Sequence, residues 1–318
     1  MRTKVSLGID IGGTNIAYGV IDKEGKCVMT DSKPIKLFDT PQEFIVSLHQ
    51  EIEERLATLD ADLIGVGVGA PDGNYFTGTI EHAANLNWKG RIPFTELLRE
   101  TFALPAFLTN DAKAAALGEM IYGGAKGMKD FAVITLGTGL GSGIVVNGQL
   151  LYGHDGLAGE VGHTIVVPGG RACGCGRRGC LETYASATGI KRTACELLAK
   201  ENAPSRLRNI PYNEISSKMI CEAAHEGDAV ALETFRYTGE ILGTALANLV
   251  AILRPEAIFL QGGAANAGDL LFAPTREYME QNMLFLFKEK VRVLPSSLPS
   301  NAAIYGAAAL VWNELKQS

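Results

Sequence analysis

Val5-Ser6-Leu7-Gly8-Ile9-Asp10-Ile11-Gly12-Gly13-Thr14-Asn15-Ile16-Ala17-Tyr18-Gly19-Val20-Ile21 is the stretch on which the architecture turns. Residues 5–9 form a short apolar run of strand length. Gly12-Gly13-Thr14 reads as a tight turn, and 16–21 as a returning strand. Lys23-Glu24-Gly25-Lys26 then turns the chain into a third strand at 27–29. The plan recurs far downstream, with a strand at 131–136, the turn Gly137-Thr138-Gly139 and a strand at 142–146. There the dipeptide Asn147-Gly148, a strong hairpin signal, leads into Leu150-Leu151-Tyr152. A recurrence at so long an interval is no solenoid period; it predicts two domains of similar plan.

Outward from these hairpins, strands and helices alternate. Helical spacing covers 41–59, 93–102 and 112–122, with strands expected at 63–68 and 106–109. Further helices are expected at 187–200, 213–226, 229–253 and 302–315, and strands at 257–260 and 291–294. Such alternation implies a mainly parallel sheet with helices on its faces. A length of 318 residues also favours two cores over one. We expect a first domain over 1–120, joined by a closing helix at 302–318, and a second over 121–301.

A net charge of −6 argues against nucleic acid as a partner, because phosphate backbones need a basic surface. The N-terminal apolar run is too short for a signal peptide, and no run approaches a membrane helix, so a cytoplasmic protein is expected.

Four segments carry chemistry. In Asp10-Ile11-Gly12-Gly13-Thr14, paired glycines let backbone amides approach a phosphate, and the acid beside them could hold magnesium through water. The turn lacks P-loop spacing and its lysine, and a strand rather than a helix follows it, which excludes a dinucleotide fingerprint. An ordinary hairpin would look the same. The second segment, Thr135–Gly143, carries Gly137, Thr138 and Gly139 and more glycine than a hairpin needs, so it is also read as a phosphate turn. Asn110-Asp111 closes a strand where a helix starts, the place where open α/β sheets bind ligands, although such residues also cap helices. In the fourth, Glu160-Val161-Gly162-His163 precedes Cys173-Gly174-Cys175-Gly176-Arg177-Arg178-Gly179-Cys180-Leu181-Glu182. One imidazole and three thiolates make a closed structural zinc set, with glycines that let the backbone curl around a small ion. A zinc-ribbon nucleic-acid module is the competing reading, disfavoured by the acidic chain and by Glu160 and Glu182, which the metal does not need.

With these segments together, the chain resembles the ROK family (repressors, open reading frames, kinases), and in particular its bacterial glucokinases, over essentially its whole length. The Cys173–Glu182 run is specific to that family, whereas Asp10–Thr14 is shared with the wider actin-like ATPases. The resemblance implies an actin-like, ribonuclease H-like fold of two α/β domains flanking a cleft that holds ATP and sugar. It implies Asp111 as catalytic base, and Asn110, Asp111, Glu160, His163 and Glu182 as sugar ligands. His163, Cys173, Cys175 and Cys180 match the zinc ligands. Asp10, Gly12, Gly13, Thr14, Gly137, Thr138 and Gly139 match the phosphate and Mg2+ region, and Gly262-Gly263 falls near adenosine. Residues 67–73 and Asn85-Leu86-Asn87-Trp88 resemble the family's other sugar-side loops, although Pro71-Asp72-Gly73 stands where many members have Pro-Gly.

Nine residues precede Asp10, too few for the DNA-binding domain of the family's repressors, so a kinase is expected. Glucose is the expected sugar. A kinase for N-acetylmannosamine, N-acetylglucosamine, fructose or allose, or a non-catalytic sugar sensor, is the alternative. A homo-oligomer, dimer or tetramer, is expected. Because the metal loop and the glycine turns lie on different strands, loss of zinc is expected to weaken sugar binding far more than nucleotide binding.

Overall fold

The computed structural model describes residues 2–81, 86–299 and 301–317. Asn85, the first residue of one expected sugar-side loop, lies outside them. The chain forms two compact units, one of Met1–Met128, Gln149–Gly159 and Ser297–Ser318, the other of Lys129–Gly148 and Glu160–Ser296. Among the described residues no helix is long and apolar enough to cross a membrane.

The first unit opens with β1 (Thr3–Ile11), β2 (Asn15–Asp22) and β3 (Cys27–Pro34), an antiparallel meander. Helix α1 (Pro41–Ala57) crosses to β4 (Ala61–Ala70), which pairs parallel with β1. A small antiparallel sheet of β5 (Gly73–Asn74), β6 (Thr79–Glu81) and β7 (Arg91–Ile92) precedes α2 (Phe94–Phe102). Next come β8 (Ala106–Asn110), parallel to β4, and α3 (Asp111–Ile121). The main sheet therefore runs β3-β2-β1-β4-β8.

Strand β1 is buried almost continuously, as a strand covered on both faces must be. Val5, Leu7 and Ile9 pack with Phe44 and Leu48 of α1 and Phe94 and Leu98 of α2. On the other face Ser6 donates to the Ala308 carbonyl at 3.3 Å, and a Cβ on Gly8 would meet the Ile304 carbonyl oxygen at 2.2 Å.

The second unit repeats the hairpin-plus-parallel plan. Strands β9 (Phe131–Leu136) and β10 (Leu140–Val146) pair antiparallel, and after the Asn147-Gly148 turn the chain passes to the first unit at the two-residue β11 (Gln149–Leu150). Asn147 at φ 53° and Gly148 at φ 76° take the left-handed conformations such a turn demands. Four helices follow: α4 (Glu182–Ala185), α5 (Ala187–Lys200), α6 (Ser217–His225) and α7 (Ala229–Leu253). Strand β12 (Ala257–Gln261) pairs parallel with β9, then α8 (Asp269–Asn282) leads to β13 (Arg292–Pro295), parallel to β12. The closing helix α9 (Ala302–Gln317) belongs to the first unit, where it lies on β1, β4 and α3 and supplies the Ile304 and Ala308 contacts above.

Two expectations are corrected. The helix expected over 213–226 begins at Ser217, because the Ser216 hydroxyl caps it by accepting from the Met219 amide at 3.2 Å. Helix α8 was not expected at all; it carries Pro274 in its interior.

Candidate active site and metal centre

In the first unit, strand register places the candidate residues in one row. Asp10 lies opposite Gly69, and the next residue, Ala70, lies opposite Asn110. Asp10 and Asn110-Asp111 thus share the carboxyl edge of the parallel strands, where ligands of α/β sheets bind. Asn110 does cap α3: its Oδ1 accepts from the Ala112 amide at 3.0 Å, and Asp111 Oδ1 accepts from the same amide at 2.7 Å. Capping and ligand binding are compatible, because each carboxyl or amide group has acceptor sites to spare. Burial, and then the charge of Asp111, push the Asp10 carboxyl up to about 6. The Asp111 side chain is open to solvent but crowded by protein. That desolvation, with a smaller contribution from Asp72, raises its pKa against the opposing Ala112 N–H. From the sequence Asp72 was noted only as a departure in the 67–73 loop, not as an acid acting on Asp111. The Asp72 φ of 52° puts an acid in a left-handed position that glycine favours, and a Pro-Asp-Gly turn at the end of a strand was the available signal. Gly67, read as part of a sugar-side loop, instead lies against α9: a Cβ there would sit 1.9 Å from the Ala307 carbonyl oxygen. The turn at Gly13-Thr14 is exposed, and it is closed by the Gly12 amide donating to the Asn15 carbonyl at 3.0 Å.

In the second unit the donor atoms of His163, Cys173, Cys175 and Cys180 all lie within 4.8 Å of one another. Cys175 and Cys180 sulfurs are 3.7 Å apart, as are the Cys173 sulfur and His163 Nδ1. A zinc tetrahedron with Zn–S bonds near 2.3 Å has sulfur–sulfur edges of about 3.8 Å, so the four residues fit that ion. Gly176 at φ 85° and Gly179 at φ 84° make the curl, and at Gly179 a Cβ would strike the Val167 carbonyl oxygen at 1.8 Å. Since Nδ1 faces the sulfurs, Nε2 is the nitrogen left to donate.

Glu182 follows Cys180 by two residues. Its Oε2 accepts from the Leu140 amide at 3.0 Å, and its Oε1 lies 3.6 Å from the Cys173 sulfur. A Cβ on Gly139 would meet that Oε2 at 2.4 Å, so a larger residue there would have to displace the Glu182 carboxylate. The turn also receives the Ala187 amide on the Gly137 carbonyl and the Thr188 hydroxyl on the Thr138 carbonyl, each at 2.9 Å. The expectation that this turn stands apart from the metal loop is therefore not met.

Gly262 takes φ 99° against the backbone of Leu136, whereas Gly263 has no neighbour within 4 Å of a Cβ. Gly263 opens on a cavity of about 440 Å3 lined by Ser217, Lys218, Glu222, Phe235 and Asn266. These residues, on α6, α7 and the loop after β12, carried no sequence motif and were missed.

The sequence model of the ROK family matches residues 6–314. The chain belongs to the ROK family. It is 38% identical to a glucokinase of Halalkalibacterium halodurans over 319 residues, 98% of this chain and 96% of that protein. It is 35% identical to a glucokinase of Streptomyces coelicolor, over 96% of this chain and 97% of that one. The crystal structure of a ROK family glucokinase from Streptomyces griseus, in complex with glucose and AMPPNP, superposes with a TM-score of 0.79 at 35% identity. That match covers 97% of this chain and 99% of the other. Each unit of this ROK protein is one half of the family's actin-like, ribonuclease H-like fold.

Proposed function

We propose that this ROK protein transfers the γ-phosphoryl group of ATP to a hexose, converting glucose to glucose 6-phosphate. The observation that carries the reading is Asp111, a raised-pKa carboxylate at the strand edge it shares with Asp10, in a chain with whole-length similarity to a glucokinase that binds glucose and an ATP analogue.

Phosphoryl transfer asks a protein for positioning and charge neutralisation more than for covalent chemistry. Asp111 accepts the proton of the attacking 6-hydroxyl, and its raised pKa makes it a stronger base than an ordinary carboxylate. Asn110, Glu160 and Glu182 bond sugar hydroxyls, and His163 donates to one through Nε2. The Gly13, Thr14, Thr138 and Gly139 amides hold the phosphates, while the Gly12 and Gly137 amides close their own turns on the Asn15 and Gly139 carbonyls, each at 3.0 Å. Gly137 has no protein neighbour within 4 Å of a Cβ, which leaves room for an oxygen. The adenosine lies at Gly262-Gly263 in the cavity beside α6, whose volume suits a small ligand. Asp10 would hold Mg2+ through water, and the chemistry that ion would supply is neutralisation of charge on the transferring phosphoryl group. His163, Cys173, Cys175 and Cys180 would hold structural zinc.

The test is ADP release with Mg2+ and ATP across a sugar panel. Glucose should give the highest kcat/KM. A tenfold advantage for N-acetylmannosamine or fructose would overturn the glucokinase reading, and no ADP release with any sugar would leave a sensor.

A further inference from the structure

Arg171 lies two residues before the first cysteine and belongs to no motif in the reading above. It is buried, 8% exposed, and every guanidinium nitrogen is used. Nε and Nη2 grip the Glu196 carboxylate at 2.9 and 2.7 Å, and Nη2 also reaches the Thr193 hydroxyl at 2.9 Å. Nη1 donates to the carbonyls of Thr183 and Gly189, at 2.8 and 3.2 Å. The group stacks 4.4 Å over the Tyr184 ring, whose hydroxyl in turn accepts the Arg171 amide at 3.0 Å. A bidentate guanidinium–carboxylate pair fixes orientation as well as distance. All of these partners lie on α4 and α5.

The same two helices carry the side-chain and helix-end braces of the 137–140 turn: Glu182 on the Leu140 amide, the Ala187 amide on Gly137, and the Thr188 hydroxyl on Thr138. The metal loop is joined to them by the Arg171 clamp and by the direct chain run from Cys180 to Glu182. One rigid segment therefore supports both the Cys3His cluster and the turn.

We propose that the metal centre and the nucleotide-phosphate turn are linked binding sites, with Arg171 as the positioning residue that joins them. The proposal rests on the reading of Gly137–Gly139 as a phosphate turn. With the four donors held together, the loop anchors Arg171, Arg171 anchors α5, and the first turn of α5 presents the glycine backbone in its binding shape. Without a metal the loop falls back on hydrogen bonds such as the Gly179 amide on the Arg171 carbonyl at 2.8 Å and the Cys173 amide on the Arg177 carbonyl at 2.9 Å, and the clamp's end is less firmly fixed. Linkage is reciprocal, so a nucleotide that selects the ordered turn must also tighten metal retention by the same factor.

The experiment measures zinc transfer from the loaded protein to a chromophoric chelator, with and without Mg2+ and a non-hydrolysable ATP analogue. Calorimetry of the same analogue on metal-free protein, shown by circular dichroism to be folded, closes the cycle. The analogue should slow and weaken zinc loss by about tenfold, within the usual range of coupling between sites, and metal-free protein should bind the analogue weaker by the same factor. Arg171→Met should abolish the coupling. Thr188→Val, an exposed change remote from the metal that removes one brace, should reduce it in a protein that still folds. Zinc retention indifferent to the analogue, or coupling unchanged in Thr188→Val and Arg171→Met, would overturn the proposal. Retention raised by glucose and not by the analogue would place the metal on the sugar side alone. Failure of the analogue to bind zinc-loaded protein would sink the phosphate-turn reading itself, and the linkage with it.

Discussion

Asp111 and Asp10 sit at one sheet edge with unlike demands on their protons. Asp111→Asn keeps the side chain's size and its acceptor for the Ala112 amide but cannot take a proton. Sugar affinity measured by calorimetry should hold within a few fold, while kcat falls about 10²–10⁴-fold, the usual worth of general-base catalysis. The base works ionised and its pKa is raised, so kcat/KM should fall on the acid side with a midpoint above the ordinary carboxylate range. A pH–rate profile with its acid limb near 4 would contradict this. Asp10 makes the complementary point. Its pKa is 3.8 in an unperturbed chain and about 6 here, so the fold favours its protonated form. That preference is fully present below pH 3.8 and is lost as pH rises through 6, where ionisation costs folding free energy. Asp10→Asn should therefore raise Tm at pH 8, by a gain on the order of 1–3 kcal/mol, and not at pH 3, while activity drops. An unchanged melting difference between the two pH values would refute it.

Within single elements, glycine identity alone conceals two different causes. Gly137 meets nothing within 4 Å, whereas at Gly139 a Cβ would collide with Glu182. Gly137→Ala should fold normally and raise the KM for ATP, because its methyl enters ligand space. Gly139→Ala should displace the Glu182 carboxylate and raise the KM for sugar as well. Steady-state kinetics on the two variants separate them, and identical profiles would show that the distinction is false. Helix α8 shows the same dependence on packing. Pro274 reads as a helix breaker in isolation. Here its ring sits against Gly239 of α7, where no Cβ could fit, and Gly243 admits the backbone of Thr275 and Met279 just as closely. Packing two helices along a glycine seam offsets the lost hydrogen bond, which no local rule could anticipate.

Across the whole molecule, the first and last segments of the chain meet in one unit. Helix α9 lies directly on the glycines of β1 and β4, so the N-terminal sheet is covered on both faces only when residues 302–317 are in place. Gly8→Ala would put a methyl 2.2 Å from the Ile304 carbonyl oxygen and 2.8 Å from the Ala308 nitrogen. Overpacking of that kind costs about 1–3 kcal/mol, or several degrees in Tm. Gly8 touches none of the proposed ligands, so KM values in the folded enzyme should not move. Calorimetric melting beside steady-state kinetics checks both halves of this expectation.

Read alone, the sequence determined the strand hairpins, the strand–helix alternation that pairs β1 with β4 and β9 with β12 in parallel, and the Cys3His donor set. Each is written in short-range pattern: apolar runs between turn residues, and ligands a few positions apart. The tertiary structure decided what depends on residues far apart in the chain. Strand register brought Asp10 level with Asn110 and Asp111, and a left-handed Asp72 added a third acid near them. Packing gave Gly8 and Gly67 their reasons for being glycine, laid Gly139 against the Glu182 carboxylate, and set α5 between the metal loop and the phosphate turn. The physical reason is that side-chain chemistry and turn preference are local properties, whereas close approach and shared support exist only after distant segments have been brought together.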